Sequence, residues 1–384
     1  MDSASISSRE ALQAALGINE PLVCEPYLTY LESAWPGRGE KEDFLRFTAD
    51  LITTLDFATP KISIKDCIDR LVADPDQFYF PDTPAGSPPR KTGVEEVVLL
   101  VVGSWLLMQS YFVPARHEER RIVSAHCLQA NQRYCEDVAL AQPIPVLLAE
   151  SGLLPNPHEN STAADGDGGD APSTSPFHLH ASVGLLESLS VDIRRLNAST
   201  LASLGGLQFT WTPNLSRHLL LSKRADTHYL ELFSLPCALQ GGPGSLLSRM
   251  GVPVDLLDEV ETSYATLFNP PVGAPRVHAV FAKAFLFKYW CWCSGCASGR
   301  LRRRLLTDLR LQDGGSGGRQ PSPYDPQLRV LIKREPASQW DQTEFKHLWP
   351  RILALEAHLQ KTKPWSFWVL FRDRRDTIQY WTFL

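Results

Sequence analysis

Apolar residues in the first 155 positions recur mainly with the period of an α-helix. Ser7 and Glu10 stand three residues apart just before an apolar run, which is the spacing of a capping box and predicts a helix start. Residues 40–55 and 63–73 each place their apolar side chains on one face at helical spacing, so each is predicted to be a helix. The sequence therefore predicts that residues 1–155 form one all-helical domain.

A run of uncharged residues covers positions 97–113. Its length reaches only the lower limit for a membrane span, which needs about 20 mainly apolar residues. The run also contains small or polar residues at Gly103, Ser104, Gln109 and Ser110. This composition favours a helix buried in a soluble domain over a membrane span. An amphipathic stretch at 128–140 predicts a further helix.

The composition changes after the helical domain. Residues 156–176 consist largely of Asn, Ser, Thr, Asp, Gly and Pro, which predicts a disordered linker. The acidic, glycine-rich centre of this segment lacks the terminal Glu that closes a calcium-binding loop. A second linker is predicted at 313–326. These boundaries leave a mixed α/β domain at 177–312 and a C-terminal unit at 327–384, which holds a helix and an aromatic-basic tail.

The mixed domain combines a few short strands with helices. Residues 207–212 alternate and are rich in β-branched and aromatic side chains, which is typical of a strand. Positions 219–221 and 229–233 predict two strands around a polar turn. Helical spacing recurs at 185–201 and 254–267. The predicted fold class is therefore α+β and predominantly helical, with an all-α domain followed by the mixed domain.

Composition and charge narrow the possible functions. The chain has 384 residues and 43% hydrophobic content, which is enough for a substantial core. A net charge of -5 argues against a general nucleic-acid binder, which usually carries an excess of Lys and Arg. Eight cysteines over this length are too sparse for a disulfide scaffold, and the N-terminus lacks the apolar core of a secretory signal. An intracellular, reducing compartment is therefore expected.

Three cysteines form the most distinctive chemical cluster: Cys291, Cys293 and Cys296. Cys293 and Cys296 have the spacing of a zinc or redox pair, with His278 as a possible further ligand, but no second pair of ligands follows. A second interpretation is S-acylation, because an aromatic run precedes the thiols and the basic stretch 300–304 follows them. In a third, the cysteines pack as small hydrophobic residues.

No complete catalytic signature is present. The sequence has no nucleophile elbow, no phosphate-binding loop with Lys and Ser or Thr, and no His-Glu-x-x-His zinc motif. The acidic positions within 255–261 open a predicted helix, where carboxylates complement the helix dipole. The catalytic residues therefore remain unassigned, and neither a cofactor nor a metal is implied.

The C-terminal segment combines large aromatic rings with arginines after a helix that stops near Pro364. Such a mixture is typical of a segment at a boundary between water and an apolar phase, because the rings prefer the apolar side and the guanidinium groups stay hydrated. Helical spacing of the first rings also fits ordinary core anchors. The residues predicted to form this interface are Trp365, Trp368, Phe371, Arg372, Arg374, Arg375, Tyr380 and Trp381.

Four segments together resemble a large family of uncharacterised proteins from filamentous ascomycete fungi. They are residues 206–219, 229–233, 254–268 and 372–383. The resemblance covers most of the second half of the chain and implies that the arginine-aromatic tail runs into one hydrophobic membrane-spanning helix. In such proteins this helix would begin where the present chain stops, at Leu384. The family carries no established activity, so no functional residue is transferred from it.

Two functional hypotheses follow from these features. The first is a non-enzymatic intracellular protein that docks on a membrane face or a protein partner through its aromatic-basic tail, either as a peripheral or as a tail-anchored membrane protein. The second is a biosynthetic enzyme of a fungal secondary-metabolite pathway, such as an aminoacyl-tRNA-dependent cyclodipeptide synthase. Nucleic acid is not expected as a partner, except for tRNA under the second hypothesis.

Overall fold

A computed structural model describes the chain over residues 7–18, 23–37, 40–55, 62–73, 91–109, 141–150, 153–155, 190–239, 246–269, 298–304 and 325–362. Across these residues the protein is α+β and predominantly helical, with a few short strands in small sheets, as the sequence predicts. The chain divides into two compact units. The first comprises Met1–Pro155, Pro213–Ser216 and Leu235–Val254, and the second comprises Asn156–Thr212, Arg217–Ser234 and Asp255–Leu384.

The described elements up to residue 150 are helices, and those after it are short strands and helices. In chain order they are α1 (Ser8–Leu16), α2 (Glu25–Ser33), α3 (Lys41–Thr54), α4 (Ile64–Ala73), α5 (Lys91–Trp105), α6 (Ile144–Glu150), β1 (Ser190–Val191), α7 (Ala198–Ser203), β2 (Gln208–Thr212), β3 (Leu220–Arg224), β4 (Thr227–Phe233), α8 (Leu246–Arg249), α9 (Val254–Phe268), α10 (Pro326–Lys333), β5 (Trp340–Asp341) and α11 (Trp349–Lys361). Short 3-10 turns cover Leu215–Arg217 and Pro236–Leu239, and residues 298–304 are helical.

Helix α1 begins and ends where its sequence signals lie. The Ser7 hydroxyl accepts a hydrogen bond from the Glu10 N–H at 3.2 Å, and the Glu10 carboxylate accepts one from the Ser7 N–H at 3.1 Å, so the predicted capping box is confirmed. Gly17 ends the helix in a left-handed conformation with φ of 66°. The apolar side of α1 packs on α3. The buried residues of these two helices include Leu12, Leu16, Phe44, Phe47, Leu51 and Ile52.

Helix α5 is buried, but it is shorter than the uncharged run predicts. It stops at Trp105 because the chain turns there: the Leu107 N–H donates to the Ser104 carbonyl and the Met108 N–H donates to the Gly103 carbonyl. This is a Schellman turn with Leu107 at φ of 56° in the position that glycine usually occupies. Within the residues that the structure describes, no helix is both long enough and apolar enough to span a membrane.

The second unit contains a three-stranded sheet in the order β2-β4-β3. The outer strand β2 runs parallel to the central strand β4, while β3 pairs with β4 in the antiparallel sense. A two-residue loop of Ala225 and Asp226 joins β3 to β4, and Ala225 adopts a positive φ of 50° that such tight turns require. The predicted strands at 207–212, 219–221 and 229–233 are therefore confirmed with small changes at their ends.

The helix predicted at 185–201 is wrong at Ser190 and Val191, which form a strand of a second, two-stranded sheet. Of this segment the structure describes residues 190–201, where strand β1 pairs with β5 and the helix α7 begins only at Ala198. The reason is local side-chain competition for the backbone. Asp192 accepts the Arg194 N–H at 2.8 Å and so makes a turn, and Asn197 then caps α7 by accepting the Thr200 N–H at 3.1 Å.

The described elements also place two boundaries differently from the sequence prediction. Pro213–Ser216 and Leu235–Val254 belong to the first unit, although they lie within the predicted mixed domain 177–312. Helices α10 and α11, predicted as part of a separate C-terminal unit at 327–384, belong to the second unit. The linker 156–176, the helix 128–140 and the linker 313–326 lie outside the described residues, except that Asp325 and Pro326 begin α10.

We expect Gly251→Ala to destabilise the first unit by about 1–3 kcal/mol. Gly251 has φ of 90°, and an added Cβ would lie 2.8 Å from the Cα and Cβ atoms of Pro145. Gly93→Ala in α5 is the matched control, because an added Cβ there meets no atom within 4 Å and should stabilise the helix by about 0.5–1 kcal/mol. Thermal unfolding of both variants measures the difference, and equal effects would contradict this account.

Candidate functional site

The polar groups with the most distinctive geometry lie in the second unit, between the central strand and two long helices. His218 follows the 3-10 turn before β3 and is fully buried. Glu259 and Ser263 lie on α9, and their spacing of four residues puts both side chains on one face of that helix. Arg351 belongs to the first turn of α11. We refer to these residues as the His218 network.

His218 and Ser263 form a serine-histidine pair at a distance compatible with nucleophilic catalysis. The His218 Nε2 atom lies 2.7 Å from the Ser263 Oγ atom. The His218 Nδ1 atom accepts the Phe233 N–H at 3.2 Å, so the ring hydrogen is on Nε2 and points to Ser263. The Ser263 hydroxyl in turn donates to the Val260 carbonyl at 2.7 Å. A catalytic histidine must instead accept the serine proton, so this pair has the arrangement of a structural hydrogen bond.

The electrostatics of His218 agree with that assignment. Burial lowers the pKa of His218 from 6.5 to about 3, and the Arg351 guanidinium acts in the same direction. The imidazole is therefore neutral at physiological pH. The Arg351 Nη1 atom donates to the His218 carbonyl at 2.6 Å, so the histidine is held through its backbone as well as its ring.

Tyr264 extends the network to the end of strand β4. Its hydroxyl donates to the Phe233 carbonyl at 2.6 Å, and its ring lies 5.1 Å from the His218 ring, centroid to centroid. Burial raises the pKa of Tyr264 well above its usual value, so the hydroxyl stays protonated as a donor. The N–H and the carbonyl of Phe233 are thus both satisfied by side chains, which fixes the point where β4 ends.

The Glu259 carboxylate caps α11 from the neighbouring helix. It accepts the His347 N–H at 3.0 Å and the Leu348 N–H at 2.8 Å, immediately before the first residue of α11. Burial raises the pKa of Glu259 from 4.5 to about 7, with Asp255 acting in the same direction and the backbone donors opposing it. The sequence interpretation of this acidic stretch holds for Asp255, which lies in the first turn of α9, but Glu259 serves the start of another helix.

The other end of α11 is held by contacts of its own. The His358 Nε2 atom lies 2.9 Å from the Gly205 carbonyl oxygen. Glu356 forms an ion pair with Arg195 at 3.2 Å. The His358 ring also lies 4.7 Å from the ring of His228 on β4. Helix α11 is therefore fixed to the second unit near both its N-terminus and its C-terminus.

A second buried carboxylate, that of Glu231, binds the residue that precedes His218. Glu231 on β4 accepts hydrogen bonds from the Arg217 Nε and Nη2 atoms at 2.5 Å each, and Arg224 lies 3.6 Å away. Burial acts to raise the pKa of Glu231, but the hydrogen bonds and charge of Arg217, together with the charge of Arg224, outweigh burial and lower the pKa. This bidentate pair holds the residue that precedes His218.

The residues that the sequence analysis singled out have different outcomes. The interface residues Trp365, Trp368, Phe371, Arg372, Arg374, Arg375, Tyr380 and Trp381, and the thiols Cys291, Cys293 and Cys296, lie outside the described residues. The basic stretch 300–304 is described and helical. In it, Arg302 donates to the Asn269 side-chain oxygen, and Arg303 donates to the Gly299 carbonyl.

Sequence patterns did not identify the His218 network, because its members are far apart along the chain. His218 and Ser263 are 45 residues apart, and Glu259 and Leu348 are 89 residues apart. The four-residue spacing of Glu259 and Ser263 is the one local signal. Among the described residues, no group of three or more His, Cys, Asp or Glu side chains is arranged to hold a metal ion.

Comparison of the chain with protein-family models, with curated proteins and with solved structures yields no match. The functional assignment therefore depends on the chemistry of the chain itself.

We expect Glu259 to make the protein less stable as the pH rises. Because the pKa of Glu259 is raised from 4.5 to about 7, the folded state binds more protons than the unfolded state between these values. The free energy of unfolding should therefore fall by up to about 3 kcal/mol from about pH 5 to pH 8 on account of this residue. Urea unfolding across this range measures the slope.

Glu259→Gln should remove this part of the pH dependence, because the amide does not titrate. Glu344→Gln is the matched control, since Glu344 is exposed and its replacement should leave the slope unchanged. An unaltered pH slope in the Glu259 variant would contradict the raised pKa.

Proposed function

We propose that this chain is a non-enzymatic docking protein that binds an anionic membrane face through its aromatic-basic tail. In this proposal the rings of the tail enter the boundary layer while the arginines contact lipid headgroups. The observation that carries the proposal is that α11, the helix leading directly into the tail, is fixed near both ends to the second unit. The second unit then serves as a rigid base for the tail.

Helix α11 ends close to the tail in the sequence. Helix α11 ends at Lys361, and its C-cap residue Thr362 is extended, with φ of -72° and ψ of 126°. Pro364 follows two residues later and cannot continue a helix in the usual way. Contacts from Glu259, Arg351 and His358 hold α11 in the second unit, and the last residue of this helix lies three positions before Pro364.

The chemistry of the tail favours a lipid surface. Three arginines, with Asp373 and Asp376 among them, lie between Phe371, which directly precedes Arg372, and Tyr380, which follows Arg375 by five residues. Each basic residue close to an anionic surface contributes about 1 kcal/mol, and this contribution weakens as salt increases. Trp and Tyr rings add affinity because they place an apolar body in the membrane interface and a polar atom in water. A protein partner would need a matching apolar and acidic surface.

The hydrogen bonds of the His218 network favour a structural rather than a catalytic role for its residues. Its histidine is neutral, with the ring hydrogen directed to Ser263, and Ser263 donates to a backbone carbonyl. The Glu259 carboxylate accepts hydrogen bonds from backbone N–H groups at the start of α11, and Arg351 donates one to the backbone carbonyl of His218. All these interactions stabilise the packing of the second unit around α11.

Co-sedimentation with lipid vesicles tests the proposal. The full chain should sediment with vesicles that contain about 30% phosphatidylserine and should remain in the supernatant with neutral vesicles. A chain that ends at residue 362 should lose this binding. Replacing the three tail arginines should weaken binding at least tenfold, that is by about 1.4 kcal/mol or more. The replacements are Arg372→Gln, Arg374→Gln and Arg375→Gln.

The matched control removes the same charge from the first unit. Lys41, Arg46 and Arg70 are exposed, and their replacement by Gln should leave vesicle binding unchanged. Equal binding of the full and shortened chains would contradict docking through the tail. A full chain that stays in solution with both vesicle types would contradict membrane docking and would favour a protein partner for the tail.

A further inference from the structure

Two cysteine residues of the first unit are in contact although they are far apart in the sequence. Cys24 is the N-cap residue of α2, and Cys237 lies in the 3-10 turn Pro236–Leu239. The Cys24 sulfur lies 3.8 Å from the Cys237 carbonyl oxygen, across a separation of 213 residues. Helix α2 packs against this turn, and both thiols are reduced. The fold therefore places the Cys24 sulfur against the backbone of Cys237.

The two thiols differ in their access to solvent. Cys24 is half-buried. Cys237 is only 1% exposed. A partly exposed cysteine in contact with a buried one is typical of a redox-sensitive pair, in which the first cysteine reacts and the second resolves the product. Cys67 is also buried but has no such role in this arrangement, so it serves as an internal reference.

We propose that Cys24 and Cys237 form a reversible disulfide when the protein meets a peroxide. The Cys24 thiolate attacks one peroxide oxygen, which gives a sulfenic acid at Cys24 and releases the first water. The Cys237 sulfur then attacks the Cys24 sulfur, forms the S–S bond and releases the second water. Two thiols and hydrogen peroxide thus give one disulfide and two waters, and a dithiol reductant reverses the change.

The bond would fasten the turn Pro236–Leu239 to the start of α2. Cross-linking residues that are this far apart restricts the unfolded chain strongly, because it closes a long loop. We therefore expect the oxidised protein to unfold about 5 °C or more above the reduced protein. In a reducing compartment the bond would form only during oxidative exposure, which makes it a modification site rather than a permanent part of the fold.

Peptide mapping of the full chain tests the proposal. The protein is treated with a small excess of hydrogen peroxide, its remaining thiols are alkylated, and it is digested without reduction. The expected product joins the Cys24 and Cys237 peptides, with a mass lower by two hydrogens than the sum of the two, and dithiothreitol removes it. Cys67→Ser should leave this product unchanged.

Two further variants test the order of the reaction. In Cys237→Ser, the sulfenic acid at Cys24 should persist and react with dimedone. In Cys24→Ser, Cys237 should stay reduced, and neither the linked peptides nor the higher unfolding temperature should be seen. Circular dichroism of the reduced variants shows whether they fold like the wild type.

Three results would overturn the proposal. They are a wild-type Cys24 that accumulates as sulfenic or sulfinic acid beside a free Cys237, a disulfide between Cys24 and any other cysteine, and a Cys24–Cys237 disulfide that leaves the unfolding temperature unchanged.

Discussion

The buried imidazole of His218 is the interaction on which the described packing of the second unit depends. Its two ring nitrogens and its carbonyl oxygen each have a hydrogen-bond partner, on β4, α9 and α11 respectively. Loss of one partner would leave a polar group buried without compensation, which costs about 1–3 kcal/mol. One residue therefore ties a strand end and two helices together, and its neutral charge state follows from the burial that this role requires.

Glu259 shows how the same unit balances opposing electrostatic effects. Burial favours the protonated carboxyl, whereas the backbone donors at the start of α11 favour the carboxylate. Burial has the larger effect, so ionisation of Glu259 is unfavourable even though its carboxylate caps α11. Asp255 lies nearer the start of α9 and is exposed.

Local sequence signals were sufficient to predict those elements whose ends depend on contacts between neighbouring residues. The capping box at Ser7 and the hairpin around Ala225 depend on contacts within a few positions, and the sequence predicted both. Contacts between distant residues escaped prediction. Trp340 donates its ring N–H to the Leu196 carbonyl over 144 residues, and His358 contacts Gly205 over 153. The turn that follows α5 places Leu107 in a left-handed conformation, so no glycine in the sequence marks the end of this helix.

The parallel pairing of β2 with β4 has a consequence for the nascent chain. Strand β2 is synthesised before β3 and β4, so it has no partner in its sheet until the β3–β4 hairpin has emerged from the ribosome. The hairpin needs only its two-residue loop and can form at once. Arg351 is made more than 100 residues after His218, and the last described helix must therefore be translated before the centre of the second unit can close.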